Sequence, residues 1–217
     1  MIKKLTNIQG VTVYRDEAAG VSYRRLVGGL AWPKLPEPGY LALVGEVWGR
    51  DDDLQARPLK ILAERGESTI AGLHRACLEL RKLCQVGSWL ADLRQKQETG
   101  MFLRLNRELQ QAVYLEAAPY TRQEPALSVY AQLVLELVQP GKKILTFGDS
   151  SLNGYLMARS PEEMREPAGR FPQLAALGYA VAQLVVQQPL EPGELARLER
   201  QAERTWDRHQ WAKGSGR

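Results

Sequence analysis

The sequence predicts an α/β protein in which a mixed β-sheet is flanked by helices on both faces. Short runs rich in apolar, aromatic and β-branched residues alternate with longer runs whose apolar residues recur at helical spacing, which is the pattern of layered α/β domains. The first two well-defined strands, at residues 40–48 and 58–64, are joined by a short connection. A leading hairpin of this kind predicts a sheet with both antiparallel and parallel neighbours.

Residues 1–36 are predicted to be an N-terminal arm or irregular segment. Strand-like runs occur at 11–14 and 23–26, but the pair Gly28-Gly29 and the prolines that follow then interrupt the chain. Glycine and proline are the commonest markers of turns and loops. We therefore place the start of the main domain after this segment.

The first clear helix is predicted at residues 69–86. Ser68 is a suitable N-cap and Gly87 a suitable stop, and apolar residues three or four positions apart form one stripe between them. The remaining elements are predicted in this order: a strand at 88–93, a helix at 101–110, a strand at 112–117, an amphipathic helix at 126–138, a strand at 143–147, an apolar helix at 172–186 and a charged helix from 194 to about 211.

Length and composition fit one domain of moderate size. The chain has 217 residues, of which 44% are hydrophobic and 25% charged, as is usual for globular proteins. No apolar run approaches the roughly 20 residues that span a bilayer, and the N-terminus lacks the apolar region of a secretory signal. We expect a cytoplasmic protein with no membrane partner, a main domain at 37–188, and a charged C-terminal helix with a flexible tail at 189–217.

Two carboxylates interrupt otherwise apolar strands. Glu46 lies within the run LVGEVW, and Asp92 ends the run SWLAD. A carboxylate in such a position is unfavourable unless it meets solvent, a cation or a hydrogen-bond donor. If the two strands are neighbours, both acids can reach one point, where converging carboxylates hold a pair of Mg²⁺ or Mn²⁺ ions about 4 Å apart. The alternative is that Glu46 faces solvent on an alternating strand.

This arrangement resembles the nuclease domain of phage terminase large subunits, which has a ribonuclease-H-like fold. In that family the first acid lies on the first strand, where this chain has Glu46. The second acid ends the strand after the first long helix, where this chain has Asp92. The run PGKKILTF at 140–147 is similar to the family's Gly-x-x-hydrophobic-x-Phe strand, and AALGYA at 175–180 is similar to the apolar part of its last helix. The resemblance covers about residues 37–188.

The chain departs from that family at several positions. Its first acid is Glu rather than Asp, and residues such as Phe171 and Ala175 stand where acids are expected around the last helix. The third carboxylate would then come from Asp149 or Glu166. The ATPase motor of terminases is missing from this sequence, because no Gly-x-x-x-x-Gly-Lys-Ser/Thr motif occurs in it.

The resemblance implies metal-dependent cleavage of DNA phosphodiester bonds during phage genome packaging. The implied catalytic residues are Glu46, Asp92, Asp149 and Glu166, the first three of them as metal ligands. Double-stranded DNA is the implied partner, with a separate packaging ATPase or a portal protein as a further one. The net charge of +4 is compatible with DNA binding, and candidate phosphate contacts are Arg24, Arg25, Arg50, Arg57, Lys60, Arg94, Lys96, Arg104 and Arg107.

Two alternatives stay open. The first is a non-catalytic member of the same fold that serves as a DNA-packaging or protein-interaction module. The second is a GDSL-like serine esterase, because the run ILTFGDS resembles the first block of that family, with Ser150 as the nucleophile. That block normally opens the fold, whereas Ser150 lies late in this chain, and the family's later Asp-x-x-His block is absent. A Gly-Asp-Ser turn after a strand is the simpler interpretation.

Overall fold

The structure is a computed structural model that describes residues 2–6, 12–34, 36–48, 58–110, 113–118, 145–146 and 171–186. The chain divides into two compact units, Met1–Leu184 and Val185–Arg217. The helices predicted at 126–138 and from 194 onwards, and the tail predicted at 189–217, lie outside the described residues.

One sheet contains every strand among the described residues. Its strands are β1 (Ile2–Thr6), β2 (Thr12–Asp16), β3 (Val21–Ala31), β4 (Gly39–Val47), β5 (Leu59–Glu67), β6 (Ser88–Ala91), β7 (Tyr114–Ala117) and β8 (Leu145–Thr146). The described helices are α1 (Ile70–Cys84), α2 (Lys96–Glu108) and α3 (Pro172–Val186). The predicted mixed sheet with flanking helices is therefore confirmed.

Strand β3 is the centre of this sheet. Along one edge it pairs antiparallel with β4, which in turn pairs antiparallel with β5. Along its other edge the first part of β3 pairs antiparallel with β2, and the last part pairs parallel with β6. Strand β7 continues the parallel side next to β6. The core order is therefore β5-β4-β3-β6-β7, three antiparallel strands followed by two parallel ones, with β1 and β2 as an added hairpin.

The structure differs from the irregular arm expected at residues 1–36. Three strands form there, and the last of them is the central one. The pair Gly28-Gly29 lies inside β3 rather than in a turn. Both glycines allow close packing, and a glycine needed for close packing cannot be told from a turn glycine in the sequence.

Gly28 and Gly29 permit close approach on opposite faces of β3. A Cβ atom on Gly28 would lie 2.7 Å from ring atoms Cδ2 and Cζ3 of Trp89. A Cβ atom on Gly29 would lie 2.8 Å from the carbonyl carbon of Ala176 and 3.1 Å from the amide nitrogen of Ala180, both in the backbone of α3. The last helix therefore packs directly on the main chain of the central strand.

Helices α1 and α2 cover the other face of the sheet. There the buried side chains of β3 and β4, such as Leu30 and Leu43, form one cluster with Leu73 and Cys77 of α1 and Phe102 of α2. Helix α1 follows the predicted apolar stripe, although its N-cap is Thr69 rather than Ser68; the Thr69 hydroxyl accepts a hydrogen bond from the Gly72 amide. None of the described helices is long and apolar enough to cross a membrane.

Replacing Gly29 by alanine should destabilise the fold. The added methyl group meets the backbone of α3, which cannot rotate away, and overpacking of this kind costs about 1–3 kcal/mol or more. Gly100 is the matched control, because nothing lies within 4 Å of a Cβ atom built there within α2. Gly100→Ala should raise the free energy of unfolding by roughly 0.5–1 kcal/mol. Urea denaturation measures both changes, and equal effects of the two substitutions would refute the packing argument.

Candidate active site at the carboxyl end of the parallel strands

Asp92 follows directly after β6, at the carboxyl end of the parallel pair β3 and β6. In α/β sheets this end of the parallel strands is where ligands usually bind. The main chain at Asp92 is held in place, because the indole Nε1 of Trp32 donates a hydrogen bond of 3.0 Å to the Asp92 carbonyl oxygen. Trp32 itself is buried and packs edge-on against Phe102, with ring centroids 5.6 Å apart.

The Asp92 carboxylate is occupied by Arg94. The backbone amide and Nε of Arg94 donate to Asp92 Oδ1 at 3.1 and 2.8 Å, and Nη2 donates to Oδ2 at 2.8 Å. Both oxygens are therefore engaged in a two-pronged ion pair, the strongest common carboxylate arrangement. The Arg94 side chain remains 39% exposed, whereas that of Asp92 is 11% exposed.

The electrostatic balance at Asp92 favours the ionised carboxylate. Burial by itself would raise the pKa of Asp92, but the hydrogen bonds and charge of Arg94, with a further hydrogen bond from Gln95, outweigh it and hold this pKa below its usual value. The charge of Asp92 also acts on Tyr179 of α3. Burial raises the pKa of the Tyr179 hydroxyl, and the negative charge of the Asp92 carboxylate raises this pKa further. The group of α3 that lies near Asp92 is therefore the buried phenol of Tyr179. Residues 171–184 contain no carboxylate.

Glu46 lies on β4 and is fully buried. Its Oε2 accepts a hydrogen bond of 2.8 Å from Nε of Arg25 on β3, and Nη2 of Arg25 also donates to the Leu184 carbonyl oxygen of α3 at 3.0 Å. This arginine therefore joins a buried acid to the last turn of a helix, where a cation is favoured by the helix dipole. The alternative that Glu46 faces solvent is excluded by its burial.

The structure does not bring Glu46 and Asp92 together. Their strands flank β3 on opposite sides and are not neighbours. In the register, Glu46 pairs with Arg25, whereas Ala91 pairs with Leu30. Asp92 is therefore level with residue 31, six positions along β3 from Arg25, and at about 3.3 Å per residue the separation along the strand is roughly 20 Å. A pair of ions about 4 Å apart cannot be held jointly by these two acids.

The assignment of the first strand explains this difference. The strand that carries Glu46 is the second of the core sheet, and the first is β3, whose sequence VSYRRLVGGLA contains no carboxylate. The expected position of Asp92 agrees better with the structure, because β6, which ends just before Asp92, follows the first long helix. Gly29 occupies the face of β3 that approaches α3, and a side chain there would collide with that helix.

The described residues do not fit a resident Mg²⁺ or Mn²⁺ pair. Within the described ranges, no three His, Cys, Asp or Glu side chains cluster where they could hold a metal ion. Asp149, Glu166 and the alternative nucleophile Ser150 lie outside the described residues. Their predicted roles stay predictions.

Two functional features were missed by the sequence reasoning. Arg25 and Arg94 were grouped with surface cations, yet each is tied to a carboxylate. The Asp-x-Arg spacing after β6 was a usable signal, because two residues beyond a strand end a side chain can fold back on the acid. The pairing of Arg25 with Glu46 carried no local signal, since it depends on sheet register.

Breaking the buried Arg25–Glu46 pair should be costly. Glu46→Gln removes the charge that balances Arg25 and should lower the free energy of unfolding by roughly 3 kcal/mol. The control is Glu79→Gln, because Glu79 pairs with Arg65 where both side chains are nearly half exposed; its loss should stay below about 1 kcal/mol. If chemical denaturation finds the two losses equal, the assignment of Glu46 as a structural anchor of α3 fails.

The stability contributed by Asp92 should depend on pH in one direction. Because the pKa of Asp92 is lower in the folded chain than its ordinary value of 3.8, the contribution is fully present above the unfolded pKa and is lost as pH falls through the folded pKa. Unfolding free energies of the wild type and Asp92→Asn should therefore converge below about pH 4. A difference that stays constant from pH 7 down to about pH 2 would show that Arg94 does not hold the ionised form.

No protein-family model matches the chain, and no curated protein matches it. Among solved structures, the chain is similar to the Thermus thermophilus RuvC structure, with 16% sequence identity, coverage of 76% of this chain and 99% of that chain, and a TM-score of 0.37. That likeness is too remote to carry an argument about activity. The strand order β5-β4-β3-β6-β7, with α3 packed on β3, is itself ribonuclease-H-like, and the predicted fold class is confirmed.

Proposed function

We propose that this chain is a ribonuclease-H-like domain that binds DNA without a two-metal centre built from Glu46 and Asp92. The observation that supports this proposal is that each of these acids is ion-paired with an arginine. A carboxylate whose oxygens already accept guanidinium hydrogen bonds has its charge balanced. A metal ion would therefore have to displace Arg25 or Arg94 before it could bind.

Double-stranded DNA is the proposed partner. The chain carries a net charge of +4, and exposed cations occur on several described elements, including Lys3 on β1, Arg15 on β2 and Arg24 on β3. Cations of this kind supply the phosphate contacts that dominate affinity for DNA. The proposed setting is phage genome packaging beside a separate ATPase or a portal protein, as the resemblance to terminase nuclease domains implies.

An active nuclease is the second candidate, and one observation favours it. Asp92 lies at the carboxyl end of the parallel strands, beside α3, where a reactive site is expected in this type of sheet. Asp149 or Glu166 would have to supply further carboxylates, and Arg94 would have to leave Asp92. The two candidates differ in one measurable property, which is whether the chain cuts DNA when a divalent metal ion is present.

Supercoiled plasmid incubated with the full chain and Mn²⁺ should stay intact. The same protein should retard plasmid or duplex DNA on a native gel equally well in Mn²⁺ and in EDTA, because phosphate contacts from side chains need no metal ion. Asp92→Asn should bind as the wild type does. A known metal-dependent nuclease in the same buffer serves as the positive control for cutting.

Each other outcome rejects a specific part of this proposal. Cutting that disappears in EDTA and in Asp92→Asn would establish the nuclease and reject the non-catalytic assignment. A folded protein that neither cuts nor retards DNA at low salt would reject DNA binding and leave protein interaction as the role of the fold.

A further inference from the structure

We propose that the β1–β2 hairpin and the start of β3 form the surface that binds the phosphodiester backbone of nucleic acid. We name this surface the hairpin basic face, and it consists of Lys3, Leu5, Arg15, Arg24 and Trp48. Lys3, Leu5 and Arg15 lie on the hairpin beyond the five-stranded core. Arg24 and Trp48 lie beside the start of β3, at the opposite end of that strand from Asp92. The inference rests on the proposed DNA-binding function and adds the surface that performs it.

The strand register places the hairpin residues on one side of the sheet. Lys3 pairs with Arg15, and Leu5 pairs with Val13, so their side chains share a face. Ile2 is buried in the cluster under α1 and α2, on the other side. Because side chains alternate along a strand, Lys3, Leu5 and Arg15 face the same side as α3. All three are exposed, Leu5 to 50%.

Arg24 joins this face through a β-bulge and its contact with Trp48. Val47 packs against the cluster under α1 and α2, so Trp48, the next residue, faces the other side of the sheet. Tyr23 pairs with Val47 and Arg25 with Glu46, so Arg24 is an extra residue on β3 without a partner position on β4. Bulges of this type redirect a side chain. The Arg24 guanidinium lies over the indole of Trp48, with its carbon 4.7 Å from the ring centroid. Trp48 is 38% exposed, so the pair offers both a cation and an aromatic edge to solvent.

The face is positive among the described residues. Neither Arg15 nor Arg24 forms an ion pair with a described carboxylate, and Lys3 pairs only with Glu17, where both side chains are at least half exposed. Asp16 is directed elsewhere: it pairs in the register with Ile2, and its Oδ1 accepts hydrogen bonds from the amides of Ala18 and Ala19.

The arrangement of these charges fits a polyanion. Lys3 and Arg15 lie directly opposite each other across the hairpin, and like charges in that position are destabilising in an isolated sheet. A row of phosphates along the hairpin would remove this repulsion. Trp48 and Arg24 would meet the bases or sugars of a flexible strand, since aromatic rings and arginine planes stack on bases without regard to sequence.

The test measures binding of a labelled oligonucleotide, single-stranded and as a duplex, by fluorescence anisotropy in EDTA over a range of salt. Arg15→Glu combined with Arg24→Glu should weaken binding at least about tenfold and reduce the slope of log affinity against log salt by roughly 2 for the duplex. Trp48→Ala should weaken single-stranded binding by about tenfold and duplex binding less. Arg15→Glu alone, at an exposed strand position, tests the face with the smallest structural change.

Arg75→Glu combined with Lys82→Glu is the matched control. Both residues are exposed on α1, which packs on the other side of the sheet, and the double substitution changes the net charge by the same amount. The control should bind nearly as the wild type does. If the hairpin variants, shown to be folded by circular dichroism, bind as well as this control, the hairpin basic face is rejected and DNA binding stands. If the wild type itself does not bind, the proposed function is rejected as well.

Discussion

The close packing of α3 on the backbone of β3 determines how the rest of this structure is arranged. Gly29 leaves no side chain between them, so the carbonyl of Ala176 and the amide of Ala180 approach the strand itself. The helix runs opposite to β3, because Leu184 contacts Arg25 near the start of the strand, whereas Tyr179 lies in the field of Asp92 near its end. The two predicted site acids, Glu46 and Asp92, therefore lie near different parts of this one helix.

The consequence is a helix that meets two different ion pairs, one beside Tyr179 in its middle and one at its last turn. Near the end of β3, Arg94 holds Asp92, and near its start Arg25 joins Glu46 to the last turn of the helix. Buried acids need such partners, and a pair that satisfies the acid also withdraws it from metal coordination. Among the residues that the structure describes, no three His, Cys, Asp or Glu side chains cluster where they could hold a metal ion.

Much of the fold followed from local pattern, whereas the site depended on register. The apolar periodicity of α1 and the apolar run of α3 predicted both helices, α3 with the same bounds as observed. The glycines of β3 were misinterpreted, because a glycine needed for close packing carries the same signal as one in a turn. Because β3 was not recognised as the first strand of the core sheet, the strand that carries Glu46 was taken for the first one, whereas it is the second. Its distance from Asp92 depends on pairings across the sheet that no local pattern contains.

The most direct test of this account is a titration of the full chain with Mn²⁺, followed by the electron paramagnetic resonance signal of the free ion. If the carboxylates are held by arginine, the wild type and Asp92→Asn should bind Mn²⁺ equally weakly, and Arg94→Gln should bind more tightly because it frees the Asp92 carboxylate. Binding of two Mn²⁺ ions by the wild type that is lost in Asp92→Asn would contradict the account. It would show that a two-metal centre forms around Asp92 despite its arginine.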